Sequence, residues 1–512
     1  MSTRSLVLLA LLAIGIGIVL RFAEIDRKIF WFNEVFTALR LSCEFETRGQ
    51  FPELMDAGPI RPSTLRAYQV PDAEDGYLCI VRSLAAKDRL HPPLYYFAAR
   101  GWVDLVGFST EKLRILSAIF GVALIGAAGW LGREVFRDGR AGWAMAGLVA
   151  VSPIFIRYAQ EARSYTLWLV FAVLAFVFFL RALRSDDWRN WSICLLFLVI
   201  AAWTHLLTLA LLASFALFLI LRDGPRVTRD AIRLAIVGGA TLLLISPWLL
   251  QLALHLARRG GAASHLTFGL EPGFLLNAFG QNLGHVLLSW PAENSLATAV
   301  TLIFLAVLVG MALRRLWIGG QRTTLLLLVA LALPCLAITV FADFTLSGQR
   351  SLRARYVFPL FIAMLLALAF LISRASAQGF KHRLLPLAIL SLGAFSGVHA
   401  VLSPTWWDLS KVDRQLLAVL EDEPNTLIVT DVVYGVVAPL SHRLSEDTAF
   451  LMLSQPIAPA RPEGFARHLL YQPSPELYDA IARRIGHAPE LVFETPRRDA
   501  IIYRLYTLPV GD

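Results

Sequence analysis

Four clusters of ionisable and aromatic residues stand out from a strongly apolar background, and each carries residues that can do chemistry. The first is Trp31-Phe32-Asn33-Glu34-Val35-Phe36-Thr37. Glu34 lies between aromatic and apolar neighbours, a setting that suits an acid to take a proton or hold a metal. The same residues fit an exposed acid on an interfacial amphipathic helix. The second is His91-Pro92-Pro93-Leu94-Tyr95-Tyr96, where two prolines start a helix. Alone it reads as a helix start with an aromatic anchor. The third, Arg157-Tyr158-Ala159-Gln160-Glu161-Ala162-Arg163-Ser164-Tyr165, is a polar island between two apolar runs. An ordinary loop would carry Gly, Asn or Pro. This one has Glu161 and two arginines, which hold phosphate bidentately or snorkel at a helix hairpin. The fourth, Ser347 to Tyr356, holds Arg350, Arg353 and Arg355.

The elements that must position these clusters are membrane helices. Of 512 residues, 57% are hydrophobic and only 17% charged, where a soluble chain is nearer a quarter charged. Mean hydropathy is +0.61. The apolar residues come in runs that match the bilayer core as helices. The alternating segments of a membrane barrel do not occur. Eleven runs are expected to span: 5–20, 112–132, 141–157, 165–181, 191–204, 206–221, 232–250, 296–313, 324–341, 357–372 and 384–402. The segment His91–Phe108 carries Arg100 and Asp104 and is expected to lie on, or re-enter, one face. The first run lacks a small-residue cleavage site and reads as a retained helix.

Charge assigns the sides. Arginines gather in alternate loops, around Arg133–Arg140, Arg181–Arg189, Arg222–Arg233, Arg314–Arg322 and Arg374–Arg383 with Lys381. The positive-inside rule then places the N-terminus in the cytoplasm and the C-terminus outside. Trp188, Trp191, Trp203, Trp248, Trp290, Trp406 and Trp407 mark span edges. The net charge of +9 is accounted for by these loops, so no nucleic-acid partner is implied. In loop 21–91, which falls outside, acids outnumber bases. All four clusters fall on the outer face. There the arginines of the fourth break the positive-inside trend, and an anionic ligand or lipid headgroups would explain them. Cys43 and Cys79, in one polar loop, are the one plausible disulfide pair, and two unpaired thiols are equally allowed. The expected organisation is a membrane domain over 1–402, including loop 21–91, and an extracytoplasmic α/β domain over 403–512. In that tail Thr426–Thr430, Ala449–Leu453, Glu490–Glu494 and Ile501–Tyr506 read as strands and Glu476–Ile485 as a helix.

Together the clusters resemble the GT-C superfamily of membrane glycosyltransferases, family 39-like, relatives of protein O-mannosyltransferases and aminoarabinose transferases. The family pattern has an aromatic-flanked acidic pair after helix one, a PPLYY-type step, a YAQEAR turn and a late RS…RY-P element. These stand here as Trp31–Thr37, His91–Tyr96, Tyr158–Tyr165 and Arg350–Pro359, within roughly residues 1–400. The usual Asp-Glu pair is Asn33-Glu34 in this chain, which puts the first acid's role in doubt. The resemblance implies an all-α polytopic fold with a small C-terminal α/β domain. It implies inverting transfer of a sugar from a polyprenyl-phosphate donor to a glycan, lipid or protein acceptor outside a bacterial inner membrane. Glu34 and Glu161 would be catalytic, with a divalent cation at Glu34 as the one cofactor left open. Arg163, Arg350, Arg353, Arg355 and Tyr356 would bind the lipid phosphate. Asn33, His91, Tyr95 and Tyr158 would line the substrate pocket. Two other functions fit many helices with buried charge: a lipid or sugar transporter or flippase, and a non-catalytic lipid- or glycan-binding membrane protein. A transporter places charge at the midplane, often within inverted repeats; here the charge gathers at one face.

Overall fold

A computed structural model describes residues 3–44, 51–72, 74, 76–258, 272–289, 295–345, 350–376, 384–406, 416–420, 425–459, 462–494 and 503–509. Trp290, Trp407, Lys381, Arg383 and residues 347–349 and 501–502 lie outside that set. The chain forms two compact units. One comprises Met1–Ile25, Asp88–Ala98 and Glu111–Ser403; the other comprises Asp26–Lys87, Ala99–Thr110 and Pro404–Asp512. Residues 26–87 therefore share a unit with the tail.

The first unit is a multi-pass helical body. Among the described residues, eight helices are long and apolar enough to cross a membrane: Arg4–Phe22, Thr110–Phe136, Tyr165–Ala182, Arg229–Ala257, Leu296–Ile318, Arg322–Phe341, Ala354–Ser376 and Leu384–Leu402. The run expected at 141–157 is not one rod. It is a helix pair, Gly139–Val151 and Pro153–Ala159, bent by 62°. Pro153 has no N–H to continue the ladder and pushes Ser152 out of the helical region; Ser152 sits at φ −68°, ψ 119°. The runs at 191–204 and 206–221 form helices of 17 and 16 residues, Trp188–Thr204 and Thr208–Asp223, at the short limit for a span. Leu94–Val106 has 13 residues, about 20 Å of helix, against a hydrocarbon core of about 30 Å. It cannot cross, as Arg100 and Asp104 led one to expect.

The bend exposes carbonyls that the broken helix cannot satisfy, and buried Arg21 meets them. Its Nη1 donates to Ala150 O at 2.8 Å and Gly17 O at 2.6 Å, and its Nη2 to Val149 O at 3.0 Å. Gln160 returns the favour. Its Nε2 donates to Leu20 O and Ala23 O, both at 2.8 Å, at the end of the first helix. Beyond the bend, Ser152 Oγ donates to Val286 O at 2.6 Å and Ile154 N–H to His285 O at 3.1 Å. Close backbone approach needs glycine here: a Cβ on Gly121 would stand 2.6 Å from the Ala159 Cβ.

The second unit is built on a sheet ordered β2-β1-β3-β5-β4. Its strands are β1 (Thr426–Thr430), β2 (Ala449–Met452), β3 (Arg467–Tyr471), β4 (Glu490–Glu494) and β5 (Arg504–Leu508). β1 pairs in parallel with β2 and β3; β5 runs antiparallel to β3 and β4. Leu427, Val429, Leu451 and Leu470 pack with Leu477 and Ile481 of the helix Pro475–Ile485. That helix starts at Ser474, whose Oγ accepts from Leu477 N–H at 3.1 Å, and ends at Gly486 in the left-handed region. The loop segment Met55–Ile60 bridges to Met452 and Phe450, which covers the β2 edge. A disulfide joins Cys43 to Cys79, with Cα atoms 5.6 Å apart.

Candidate functional site

The first unit gathers most of the expected site residues at the turn between Pro153–Ala159 and Tyr165–Ala182. Arg163 is buried there. Its Nη2 lies 2.8 Å from His91 Nε2, and His91 Nδ1 lies 2.6 Å from Asp88 Oδ1. A guanidinium can only donate. Nε2 therefore accepts, Nδ1 carries the proton, and the imidazole is neutral. Burial pushes the His91 pKa below its ordinary value, against the pull of Asp88 and with the help of the Arg163 charge. Asp88 thus fixes the tautomer of His91, and His91 orients Arg163.

Aromatic residues frame the second cation. Arg355 stands 5.5 Å from the Tyr165 ring centroid and 5.2 Å from that of Tyr356, in cation–π range. Tyr158 meets Tyr165 edge-on at 5.2 Å and Phe358 at 4.8 Å. Phe358 starts the helix Phe358–Ser376 and so anchors the turn that carries Arg355. Tyr95 is buried with its hydroxyl 3.2 Å from Ser117 Oγ, which donates in turn to Arg163 O at 3.4 Å. Arg163 Nη1 also reaches Tyr96 Oη at 3.4 Å. Glu161 is buried two residues from Arg163.

The remaining expected residues belong to other segments. Arg350 is in a 3-10 turn, Arg350–Leu352, with its backbone N–H donating to Asp343 Oδ1 at 2.6 Å. Arg350 and Arg353 are half-buried. Asn33 and Glu34 belong to the second unit, in the first turn of Phe32–Leu41. Glu34 is buried, and its Oε2 accepts from the Trp31 backbone N–H at 3.4 Å, a helix-capping contact. Among the described residues no group of three or more His, Cys, Asp or Glu could hold a metal ion. Among the described residues, no donor set for a cation is assembled at Glu34.

Sequence reasoning missed Asp88 and His205. His205 sits where two apolar helices break, and its ring lies 5.8 Å from that of His91 and 5.7 Å from that of Tyr165. The signals were available: Asp88 stands three residues before His91, and His205 is the polar residue that separates runs 191–204 and 206–221.

The described structure is a polytopic helical membrane protein with a buried cationic, tyrosine-lined site beside a broken helix. Residues 90–250 match the model of a family described as dolichyl-phosphate-mannose-protein mannosyltransferase. That stretch holds His91, Tyr95, Tyr158, Glu161, Arg163 and His205. Among solved structures, ArnT from Cupriavidus metallidurans bound to undecaprenyl phosphate is 14% identical, with a TM-score of 0.50 over 97% of each chain. The Archaeoglobus fulgidus oligosaccharyltransferase, in complex with Zn and sulfate, is 14% identical with a TM-score of 0.47 over 87% of this chain. This chain spans 62% of that protein's length. AglB from the same archaeon, in complex with an inhibitory peptide and a dolichol-phosphate, is 14% identical with a TM-score of 0.44, covering 87% of this chain and 64% of that one. No curated protein matches the chain in sequence. The chain is thus similar in fold to ArnT, and residues 90–250 are similar to the mannosyltransferase family; the all-α polytopic body with a small C-terminal α/β region is as expected.

Proposed function

We propose that the protein is an inverting glycosyltransferase that moves a sugar from a polyprenyl-phosphate donor to an acceptor on the outer face of the membrane. The observation that carries this reading is the pairing of Arg163, oriented by His91 and Asp88, with Arg355 stacked on Tyr165 and Tyr356. Two fixed guanidiniums in a helical membrane body suit a lipid phosphate. The undecaprenyl phosphate and dolichol-phosphate bound to the two neighbours, ArnT and AglB, are ligands of this class.

The acceptor hydroxyl oxygen attacks the anomeric carbon from the face opposite the phosphate. The bond from that carbon to the phosphate oxygen breaks, and its electron pair leaves with the lipid phosphate. Arg163 and Arg355 stabilise the growing charge. Glu161 is the carboxylate of this unit that we assign to take the hydroxyl proton; Glu34 is the second candidate base, tested by its own substitution. The Cys43–Cys79 disulfide supports an oxidising compartment for its unit. With the alternating arginine loops, it favours a cytoplasmic N-terminus and an extracytoplasmic C-terminus in a bacterial inner membrane.

Purified protein in vesicles with a polyprenyl-phosphate sugar tests the reading. Release of polyprenyl phosphate coupled to glycosylation of a supplied lipid, glycan or peptide, and lost in Arg163→Ala, supports it. Translocation of the sugar lipid without turnover would make the protein a flippase. Saturable binding with neither would make it a binding protein.

A further inference from the structure

His205 has no part in the scheme above, yet it is among the most constrained side chains of the site. Its backbone is extended at φ −159°, ψ 137°, and this breaks the helix after Thr204. The break is held on both sides: Thr208 Oγ1 donates to His205 O at 2.9 Å, and Trp168 Nε1 donates to Thr208 Oγ1 at 2.9 Å. The Leu207 backbone N–H donates to His205 Nδ1 at 3.1 Å. Nδ1 is therefore an acceptor, and Nε2 carries the proton. Burial, His91 and the charges of Arg355 and Arg163 all push the His205 pKa well below its ordinary value, so the ring is neutral. The residue is 8% exposed. Among the described residues, Nε2 makes no hydrogen bond. That N–H is therefore available to donate to a ligand.

We propose that His205 is a ligand-binding residue of this site: its Nε2 donates an uncharged hydrogen bond to a phosphate oxygen of the lipid donor, beside Arg163 and Arg355. The inference rests on the reading above and adds a specific contact to it. The two histidines would then divide the work by tautomer. His91 presents an acceptor to Arg163, and His205 presents a donor to the ligand. Arg163, Arg355 and His205 Nε2 can only donate, which matches a group whose oxygens only accept. A sugar hydroxyl would call for acceptors as well. A neutral donor also adds a bond without a third positive charge next to two guanidiniums.

The test titrates undecaprenyl phosphate into the detergent-solubilised full chain and follows tryptophan fluorescence, since the Trp168 ring lies 6.0 Å from that of His205. His205→Phe should weaken binding roughly 10- to 100-fold, the range for a bond to a charged acceptor. His205→Gln keeps an N–H donor and should recover most of the affinity. Undecaprenol, which lacks the phosphate, should bind wild type and both variants alike, a pattern that damage to the fold would not produce. Wild-type affinity in His205→Phe would overturn the proposal, and so would equal loss in both variants. Should His205→Phe fail to fold, 15N-histidine spectra of the wild type decide: the Nε2–H signal must move on adding undecaprenyl phosphate, and a static signal overturns the proposal. A wild type that does not bind undecaprenyl phosphate would bring down the functional reading too; a wild type that binds as His205→Phe does removes His205 alone.

Discussion

Replacing Arg21 by Met should destabilise the protein and cripple transfer, although it removes a buried charge from a membrane helix. Two effects oppose each other. Burying an arginine in a bilayer costs a few kcal/mol at the helix centre, and Met escapes that cost. Arg21, however, stands in the last turn of Thr3–Phe22, where the penalty is smaller. Its charge also faces the carbonyl end of Gly139–Val151, worth about 0.3–1 kcal/mol. Met would leave the buried Val149 and Ala150 carbonyls without their Arg21 donors, at distances that now read 3.0 and 2.8 Å. Each unmade bond costs about 1–3 kcal/mol in a water-soluble core and about 0.6 kcal/mol on average between membrane helices. The net loss is therefore about 1–3 kcal/mol. The chemical cost is larger, because the bend that Arg21 clasps carries Tyr158, Glu161 and Arg163, and a 1 Å misplacement can cost about a hundredfold in rate. Thermal unfolding in detergent and polyprenyl-phosphate release read the two effects separately. Arg21→Lys, whose ammonium cannot fork to both chains, should fall between wild type and Met. If Arg21→Met melts at or above wild type with undiminished transfer, the clasp does not hold the bend and the positional argument for Arg163 fails.

Three further outcomes follow from the same contacts. Arg355→Ala should lower kcat/KM on the order of a hundredfold by removing one phosphate partner, and Arg355→Lys should restore only part, because an ammonium cannot stack on Tyr165 and Tyr356 as a planar guanidinium does. His91 and His205 are held below their ordinary pKa in the folded protein. As pH falls below about 6.5, the unfolded chain takes up protons that the folded chain refuses, so stability is lost from there down to the folded values; melting temperatures between pH 7.5 and 5 should fall, and less steeply in His91→Gln. Cys43→Ser should destabilise the second unit by about 4 kcal/mol on the loop-entropy account for a separation of 36 residues, read as protease sensitivity of that unit with and without reductant.

The spans and the cationic turn were legible because both are local signals. Apolar runs report burial in lipid, and Arg157–Tyr165 is polar where lipid would forbid it without a partner. What the sequence hid was long-range. The run 141–157 looks continuous by hydropathy, and only Ser152-Pro153 marks its bend; the partners that make the bend tolerable, Arg21 and His285, are distant in sequence. β3 reads Arg-His-Leu-Leu-Tyr, whose charged start masks a strand buried between β1 and β5. The helix Tyr434–Ser441 contains Gly435, two valines and Pro439, a poor helix by propensity. Tertiary packing overrides that: a Cβ on Gly435 would meet the Phe36 ring at 2.6 Å. Asp88 and His205 were overlooked because their importance lies in tautomer geometry, which spacing does not carry.

The departure at Asn33 gives the sharpest test of Glu34, because capping and proton transfer make opposite demands on a Gln replacement. Glu34 stands at the third position of Phe32–Leu41, and its side chain accepts from the Trp31 backbone. Gln serves in that capping position as Glu does. It forfeits the favourable placement of a negative charge in the first turn, about 0.3–1 kcal/mol. Glu34→Gln should therefore fold, with a melting temperature within a few degrees of wild type. It cannot take a proton at neutral pH. If Glu34 acts as a base, turnover should fall by about 10²–10⁴-fold while undecaprenyl phosphate affinity stays put. Asn33→Asp returns the acidic pair of the resembled family and adds a carboxylate to the same first turn, where the helix dipole favours it. A gain in turnover without a gain in donor affinity would mean that Asn33 has weakened the chemistry of this chain relative to that pattern. Unchanged turnover in Glu34→Gln would refute the catalytic role and leave Glu34 as a buried cap, with Glu161 the carboxylate to examine.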